Sequence, residues 1–180
     1  NLGPALRAAR GGLCRVLDRD RVPQLRSACA RASMETGDDP HVAPAYVVYY
    51  VLTYRKALFP DAPPRHWDAL LDPAFRGKIA LYPGGNGFFP IAQLLGGGSL
   101  RDIPHDMSAC WRFAARLGPQ LGALDYSISM GDRIRNGELD LCFRALTNAL
   151  AFRAEGLDVG WCAPEPGITE TLDCLWVPAT

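Results

Sequence analysis

Residues 77–95, GKIALYPGGNGFFPIAQLL, constrain the fold more than any other stretch. Residues 78–82 form a short apolar run with Ile79 and Leu81 on one face. Pro83, Gly84, Gly85, Asn86 and Gly87 break it, and residues 88–95 resume at helical spacing with Pro90 in the first turn. The pattern is strand, glycine-rich turn, helix. Such a turn leaves backbone N–H groups free at the positive end of a helix dipole, close to the end of a strand. In an open α/β sheet small ligands bind there. The same glycines also serve a plain structural need, a tight strand-to-helix connection, and both readings stand on the local pattern.

A second strand signal precedes it. Residues 42–54, VAPAYVVYYVLTY, are rich in Val and Tyr and free of Gly or Pro after Pro44. At about 3.3 Å per residue the run is long for one small sheet, and a strand of that length suits a crossover between two lobes. Tyr46 and Tyr49 are candidate ligand contacts on it, with core or sheet-edge packing as the plain alternative.

The rest of the chain alternates short helices and strands. Residues 2–16 have helical spacing up to Gly11 and Gly12, and a short helix is expected through Ala32. Residues 65–71 read as an amphipathic helix with Trp67, Leu70 and Leu71 inward. Gly96, Gly97 and Gly98 read as a flexible break. Residues 102–117 read as a helix whose inner face holds Ile103, Met107, Cys110, Trp111, Ala114 and Leu117, with Pro104 in its first turn and Gly118 at its stop. Strands are expected at 124–128, 138–143, 158–163 and 172–177, and helices at 130–136 and 149–155. A polar point at Arg144, Thr147 and Asn148 follows the 138–143 strand. The alternation implies α/β lobes with a mixed, mostly parallel sheet flanked by helices.

Composition narrows the function. Lys plus Arg and Asp plus Glu number 19 each in 180 residues. A net charge of zero argues against nucleic acid or an acidic membrane surface as the main partner. No apolar run is long enough to cross a bilayer, and no signal peptide is read. The start at Asn1 is expected of a mature product or an excised piece of a longer protein. Cys14, Cys29, Cys110, Cys142, Cys162 and Cys174 form no C-x-x-C pair, and His41, His66 and His105 sit at no ligand spacing, so no metal site is expected. Cys142, Cys162 and Cys174 fall in strand-like runs, as small core residues do. Export would permit disulfides, with Cys14–Cys29 the simplest pairing.

The order of these pieces resembles the type 2 periplasmic solute-binding proteins of ABC transporters, nearest the spermidine/putrescine-binding branch. Gly12-Leu13, Val16-Leu17-Asp18 and Val22-Pro23-Gln24-Leu25 are similar to that family's G-L-L-x-P-L-D-x-S-x-I-P-N-L segment. Residues 42–54 sit where the family has its first crossover strand. The most specific station is residues 64–73 with Phe75-Arg76-Gly77-Lys78-Ile79, which resembles P-x-S-W-x-D-L-x-D-P-x-Y-K-G-K-I. Arg135-Asn136-Gly137-Glu138-Leu139-Asp140 resembles L-x-S-G-E-x-D. Ala163-Pro164-Glu165-Pro166-Gly167, Leu172-Asp173 and Val177-Pro178 resemble x-P-K-E-G…M-D-x-L-x-I-P.

The resemblance implies an α/β periplasmic-binding-protein lobe with part of a second one. Residues 1–48 would be a partial first lobe, 49–160 the second lobe, and 161–180 a crossover back. It implies a binding protein, not an enzyme, that needs no cofactor and hands a small polar solute, polyamine-like or amino-acid-like, to a membrane permease from the periplasm or cell exterior. Apolar surface facing missing parts would invite dimers or strand exchange. The implied contacts are Gly85, Asn86, Gly87, Arg144, Thr147, Glu170 and Asp173, with Tyr46 and Tyr49 on the crossover.

Departures from the polyamine pattern are substantial. The family's W-G pair falls at Val47 and Val48, its stacking Trp at Ala145, and a further Trp at Thr171. Only Asp173 matches residue by residue. Asp173 and Glu170 suit an amine. Arg144, Asn86 and the backbone at 85–87 suit an anion, unless Arg144 pairs with Asp140 or Glu138 as a surface ion pair. An effector domain of a transcriptional regulator with the same fold is the alternative function. A thiol hydrolase would need a Cys–His pair that no spacing here provides.

Overall fold

The Val- and Tyr-rich run folds as β1, Ala43–Arg55, in a computed structural model that describes residues 2–18, 20–23, 40–125 and 130–179. The chain divides into two compact units, Asn1–Val48 with Glu170–Thr180, and Tyr49–Thr169. β1 runs through the boundary between Val48 and Tyr49. The expected helix through Ala32 lies outside the described residues, as do most of the 36–40 break and residues 126–128 of the strand expected at 124–128.

In the smaller unit, α1 (Leu2–Arg10) buries Ala5 and Ala9. The chain then pairs Cys14 with Pro178 in an antiparallel bridge, supported by Arg15 N to Val177 O at 2.9 Å and Ala179 N to Leu13 O at 2.9 Å. β6 (Thr169–Leu175) pairs with β1. Cys14 is a buried free thiol, so the Cys14–Cys29 bridge is not formed from its side; Cys29 lies outside the described residues.

The larger unit is built on a mixed sheet of β2 (Ile79–Leu81), β3 (Leu121–Leu124), β4 (Leu141–Ala145), β1 and β5 (Val159–Cys162), in the order β3-β2-β4-β1-β5. β2 lies parallel to both β3 and β4. β1 runs antiparallel to β4, with Tyr50 opposite Ala145 and Leu52 opposite Phe143, and antiparallel to β5. In this order β2 makes the two parallel pairings, and the long crossover strand makes the antiparallel ones to β4 and β5.

Alternation along the central strands feeds two cores. Ala80 and Cys142 face one side, where Met130 and Ile134 of α4 (Met130–Arg135) and Phe152 of α5 (Leu146–Ala154) pack with Leu139, Leu157 and Val159. Phe143 faces the other side and meets Trp67, Phe88 and Tyr50 with ring centroids 5.5, 5.0 and 5.4 Å away. Trp67 opens the 3-10 helix Trp67–Leu71, is wholly buried, and donates from Nε1 to Gly167 O at 2.7 Å. Full burial of such a ring stabilises the fold by roughly 2–3 kcal/mol.

α2 (Phe89–Leu95) and α3 (Ser108–Leu117) complete the unit. The helix expected from residue 102 starts instead at Ser108. Asp102 closes a capping box with Ser99 on the separate turn Leu100–Asp102, and Asp106 accepts from Ser108 N at 2.9 Å to begin α3. That bond holds the Asp106 carboxyl below its ordinary range. The buried face is Ala109, Cys110, Phe113 and Leu117; Trp111 points outward against Phe89 at 5.6 Å. Gly96 is not a flexible break: a Cβ there would lie 1.9 Å from Ala109 O, so glycine is what lets α2 and α3 meet. Gln93, buried between them, accepts from Cys110 N at 2.9 Å and donates to Asp106 O at 3.0 Å. No helix among the described residues is long and apolar enough to cross a membrane.

Candidate functional site

Because β2, β3 and β4 run parallel, their carboxyl ends share one edge of the larger unit. Tyr82 follows β2, Asp125 follows β3, and Arg144 lies one residue before the end of β4. The edge is tied together by Asp125 N donating to Leu81 O at 3.2 Å. Arg144 Nη1 donates to Asp125 O at 2.7 Å, and its Cζ sits 4.5 Å from the centroid of the Tyr82 ring. Tyr82 Oη donates to Asn148 Oδ1 at 2.6 Å, and the Tyr50 ring meets Tyr82 edge-on at 5.9 Å.

The glycine-rich turn leaves this edge. Residues 83–85 make one 3-10 turn, and α2 begins only at Phe89 and spans seven residues. A helix that short has a weak dipole, so the anion argument at its N-terminus loses force. The glycines have a packing reason of their own. Gly84, Gly85 and Gly87 all have φ near +70°, a region that disfavours side chains. A Cβ on Gly85 would lie 2.4 Å from Phe89 Cε1, and one on Gly87 would lie 2.5 Å from Tyr50 Cδ2. Gly84 has open space around it. Gly87 O accepts from Thr169 Oγ1 at 2.5 Å, which fixes the end of the turn.

Arg144 departs from the ordinary surface pair envisaged for it. It is only 2% exposed. Asp140 is buried and taken by Arg55 at 2.8 Å and Lys78 at 3.4 Å, while Glu138 pairs with Arg133 at 3.1 Å. Buried Nε of Arg144 meets no acceptor among the described residues.

Among the residues singled out from sequence, Arg144 joins this edge and Gly85, Asn86 and Gly87 lead away from it. Thr147 lies exposed in the first turn of α5, and its neighbour Asn148 makes the bond to Tyr82. Tyr49 is 44% exposed and makes no hydrogen bond or ring contact with these groups among the described residues. Tyr50, its neighbour on the opposite face, lies against Tyr82. Tyr46, 61% exposed, and Glu170 and Asp173, on β6, belong to the smaller unit. Tyr82, the residue that ends the strand before the glycines, and Asn148, read from sequence only as part of a polar point with Arg144 and Thr147, are the two members of this edge that the expected contacts omit.

The thiol of Cys142 is buried and that of Cys162 half-buried. Burial pushes Cys142 up to about 12 and Cys162 up to about 11, away from the thiolate a nucleophile needs.

A family model described as bacterial extracellular solute-binding protein matches residues 7–180. The chain belongs to that family. Among solved structures, a protein described as a spermidine/putrescine ABC transporter from Listeria monocytogenes superposes with a TM-score of 0.80 at 20% identity, covering 96% of this chain and 54% of that one. The periplasmic binding protein AfuA from Actinobacillus pleuropneumoniae, with fructose-6-phosphate bound, gives 0.74 at 14%, covering 95% and 53%. The spermidine/putrescine substrate-binding protein PotD from Streptococcus pneumoniae gives 0.72 at 16%, covering 96% and 54%. At these identities the likeness is one of fold, and the chain spans about half the length of each. No match is found among curated proteins.

Proposed function

We propose that this chain is part of the substrate-binding component of an ABC importer, working outside the cytoplasmic membrane and delivering a small polar solute to a membrane permease. In this reading the larger unit is the second lobe of the family's two, and the solute rests on the shared edge of β2, β3 and β4. The observation that carries it is the convergence there of Tyr82, Arg144 and Asn148, three polar side chains from different elements locked to one another. Ligands of open α/β sheets bind outside the carboxyl ends of the strands. Family membership supports the same reading.

Nothing in the arrangement requires chemistry on the solute. Arg144 and the Tyr82–Asn148 pair give fixed polar contacts, and Gly84, with open space where a side chain would stand, lets a ligand approach the backbone. Any movement on binding is driven only by contacts that are better in the final state. Tyr46, Glu170 and Asp173 stand as separate proposed contacts on the smaller unit, each tested by its alanine variant.

The test is equilibrium binding of a panel of polyamines, amino acids, organic acids and sugar phosphates, measured by calorimetry on the wild type and on Asn148→Ala. A panel member should bind, and the variant should bind it at least about tenfold more weakly. Unchanged affinity in the variant sinks the placement of the site.

A further inference from the structure

Arg144 carries a permanent charge and forms no ion pair among the described residues. Its guanidinium is buried, makes one hydrogen bond to a neutral carbonyl at Asp125, and lies on the Tyr82 ring. The acids near it in sequence are committed elsewhere, Asp140 to Arg55 and Lys78 and Glu138 to Arg133. Among the described residues no carboxylate forms an ion pair with Arg144, and its buried Nε has no acceptor. A charge withdrawn from water without a counter-ion is unfavourable unless something else completes it.

We infer that the solute held at this edge bears an acidic group, a carboxylate or a phosphate, that serves as the counter-ion of Arg144. The inference rests on the site proposed above and assigns its ligand class. A planar guanidinium fork matches both kinds of acid, and such bonds are shorter and stronger than neutral ones. The geometry also disfavours a polyamine here. An ammonium group would meet a like charge at Arg144, and the Tyr82 face that could hold it by a cation–π contact already carries the guanidinium.

The inference separates a ligand group from a structural prop. A prop is missed when removed; an unpaired buried charge kept for binding is not. The apo form of Arg144→Met should melt at the wild-type temperature or above it, because an apolar chain of similar length replaces a desolvated charge. The same variant should bind an acid about a hundredfold more weakly than wild type, and Arg144→Lys should fall between them.

The experiment combines thermal melting with calorimetry on wild type, Arg144→Met, Arg144→Lys and Asn148→Ala. The probes are fructose 6-phosphate and a set of sugar phosphates for the phosphate arm, L-glutamate and a set of dicarboxylic acids for the carboxylate arm, and spermidine for the amine arm. The expected result is binding in one acid arm, lost in Arg144→Met with apo melting undiminished. Three results overturn the inference: no response in either acid arm, spermidine binding that Arg144→Met leaves unchanged or tightens, or an Arg144→Met apo form that melts well below wild type. If an acid binds Asn148→Ala weakly but Arg144→Met normally, the site stands and the counter-ion role falls. If all variants bind it normally, the site itself falls.

Discussion

Three glycines within four residues offer a controlled measurement of what the turn after β2 requires. Gly84, Gly85 and Gly87 share nearly the same positive φ, 75°, 69° and 71°. An alanine at any of them meets a backbone penalty of about 1–2 kcal/mol. Their surroundings differ. Gly84 has nothing within 4 Å of an added Cβ, whereas Gly87 would place it 2.5 Å from Tyr50 Cδ2 and 2.8 Å from Cγ. Tyr50 is 4% exposed and stacked on Phe143 at 5.4 Å, so its ring has nowhere to go. Overpacking of this kind costs a further 1–3 kcal/mol or so. Gly87→Ala should therefore be about 2–5 kcal/mol less stable than wild type and Gly84→Ala only about 1–2 kcal/mol less stable. The backbone and unfolded-chain contributions cancel between them, leaving roughly a 5- to 150-fold ratio in the unfolding constants. Urea denaturation followed by tryptophan fluorescence gives the midpoints, and equal slopes show that only stability has changed. Gly85→Ala should fall between, since the obstructing atoms belong to the outer end of the Phe89 ring. Equal losses at Gly84 and Gly87 would refute the packing account of the turn.

Two further predictions follow from the core. Trp67→Phe should lose about 1–3 kcal/mol, from the missing bond to Gly167 O and the space left beside Phe143, while the helical signal in circular dichroism stays unchanged; an undiminished denaturation midpoint would contradict the anchoring role of that indole. Cys142 is held neutral in the folded state to about 12, against an ordinary thiol value of 9.0. Below pH 9 both folded and unfolded chains keep the proton and the thiol is neutral to stability; above it only the unfolded chain ionises, so stability falls as pH rises from 9 towards 12, by up to about 1.4 kcal/mol per pH unit from this group. Denaturation midpoints of Cys142→Ala against wild type over that range check it, and parallel pH profiles would contradict it.

How far the sequence carried the account depends on the range over which each signal acts. Local punctuation was enough for the element order. β1, β2 and β5 fall where alternation and turn residues place them, β4 lies two to three residues later than the 138–143 expected, and Pro90 begins α2 as its fixed φ allows. The resemblance stated from five stations agrees with the family match. What failed were features that depend on partners far along the chain. Asp102 and Asp106 are both good caps, and nothing local says that α3 takes the second. Trp111 and Phe113 both suit the inner face of a helix starting at 102; the later start turns Trp111 out. Gly96 reads as a break until Ala109 O is brought within 1.9 Å of its absent Cβ. At the candidate site, Arg144 reads as a polar point just after the 138–143 strand, but the strand runs on to Ala145 and takes Arg144 inside it, while Asp140, its expected ion-pair partner, is claimed by Arg55, 85 residues earlier. Asn148 reads as part of a polar point and Tyr82 as the end of a strand, but nothing joins the two until parallel pairing of β2 and β4 brings them together. The same holds for the choice between Thr147 and Asn148, which one residue of helix phase decides.

The central claim is that a small solute binds at the carboxyl edge of β2, β3 and β4. Backbone and side-chain NMR of the isotopically labelled protein, titrated with each ligand class in turn, tests it most directly. For the compound that binds, the account predicts shift changes concentrated at Tyr82, Gly84, Asp125, Arg144 and Asn148, with the Tyr82 ring and the Arg144 Nε–H moving most. Saturable changes centred instead on the groove lined by Arg55, Ile134, Arg135 and Asp158, with the Tyr82 and Arg144 signals still, would contradict it.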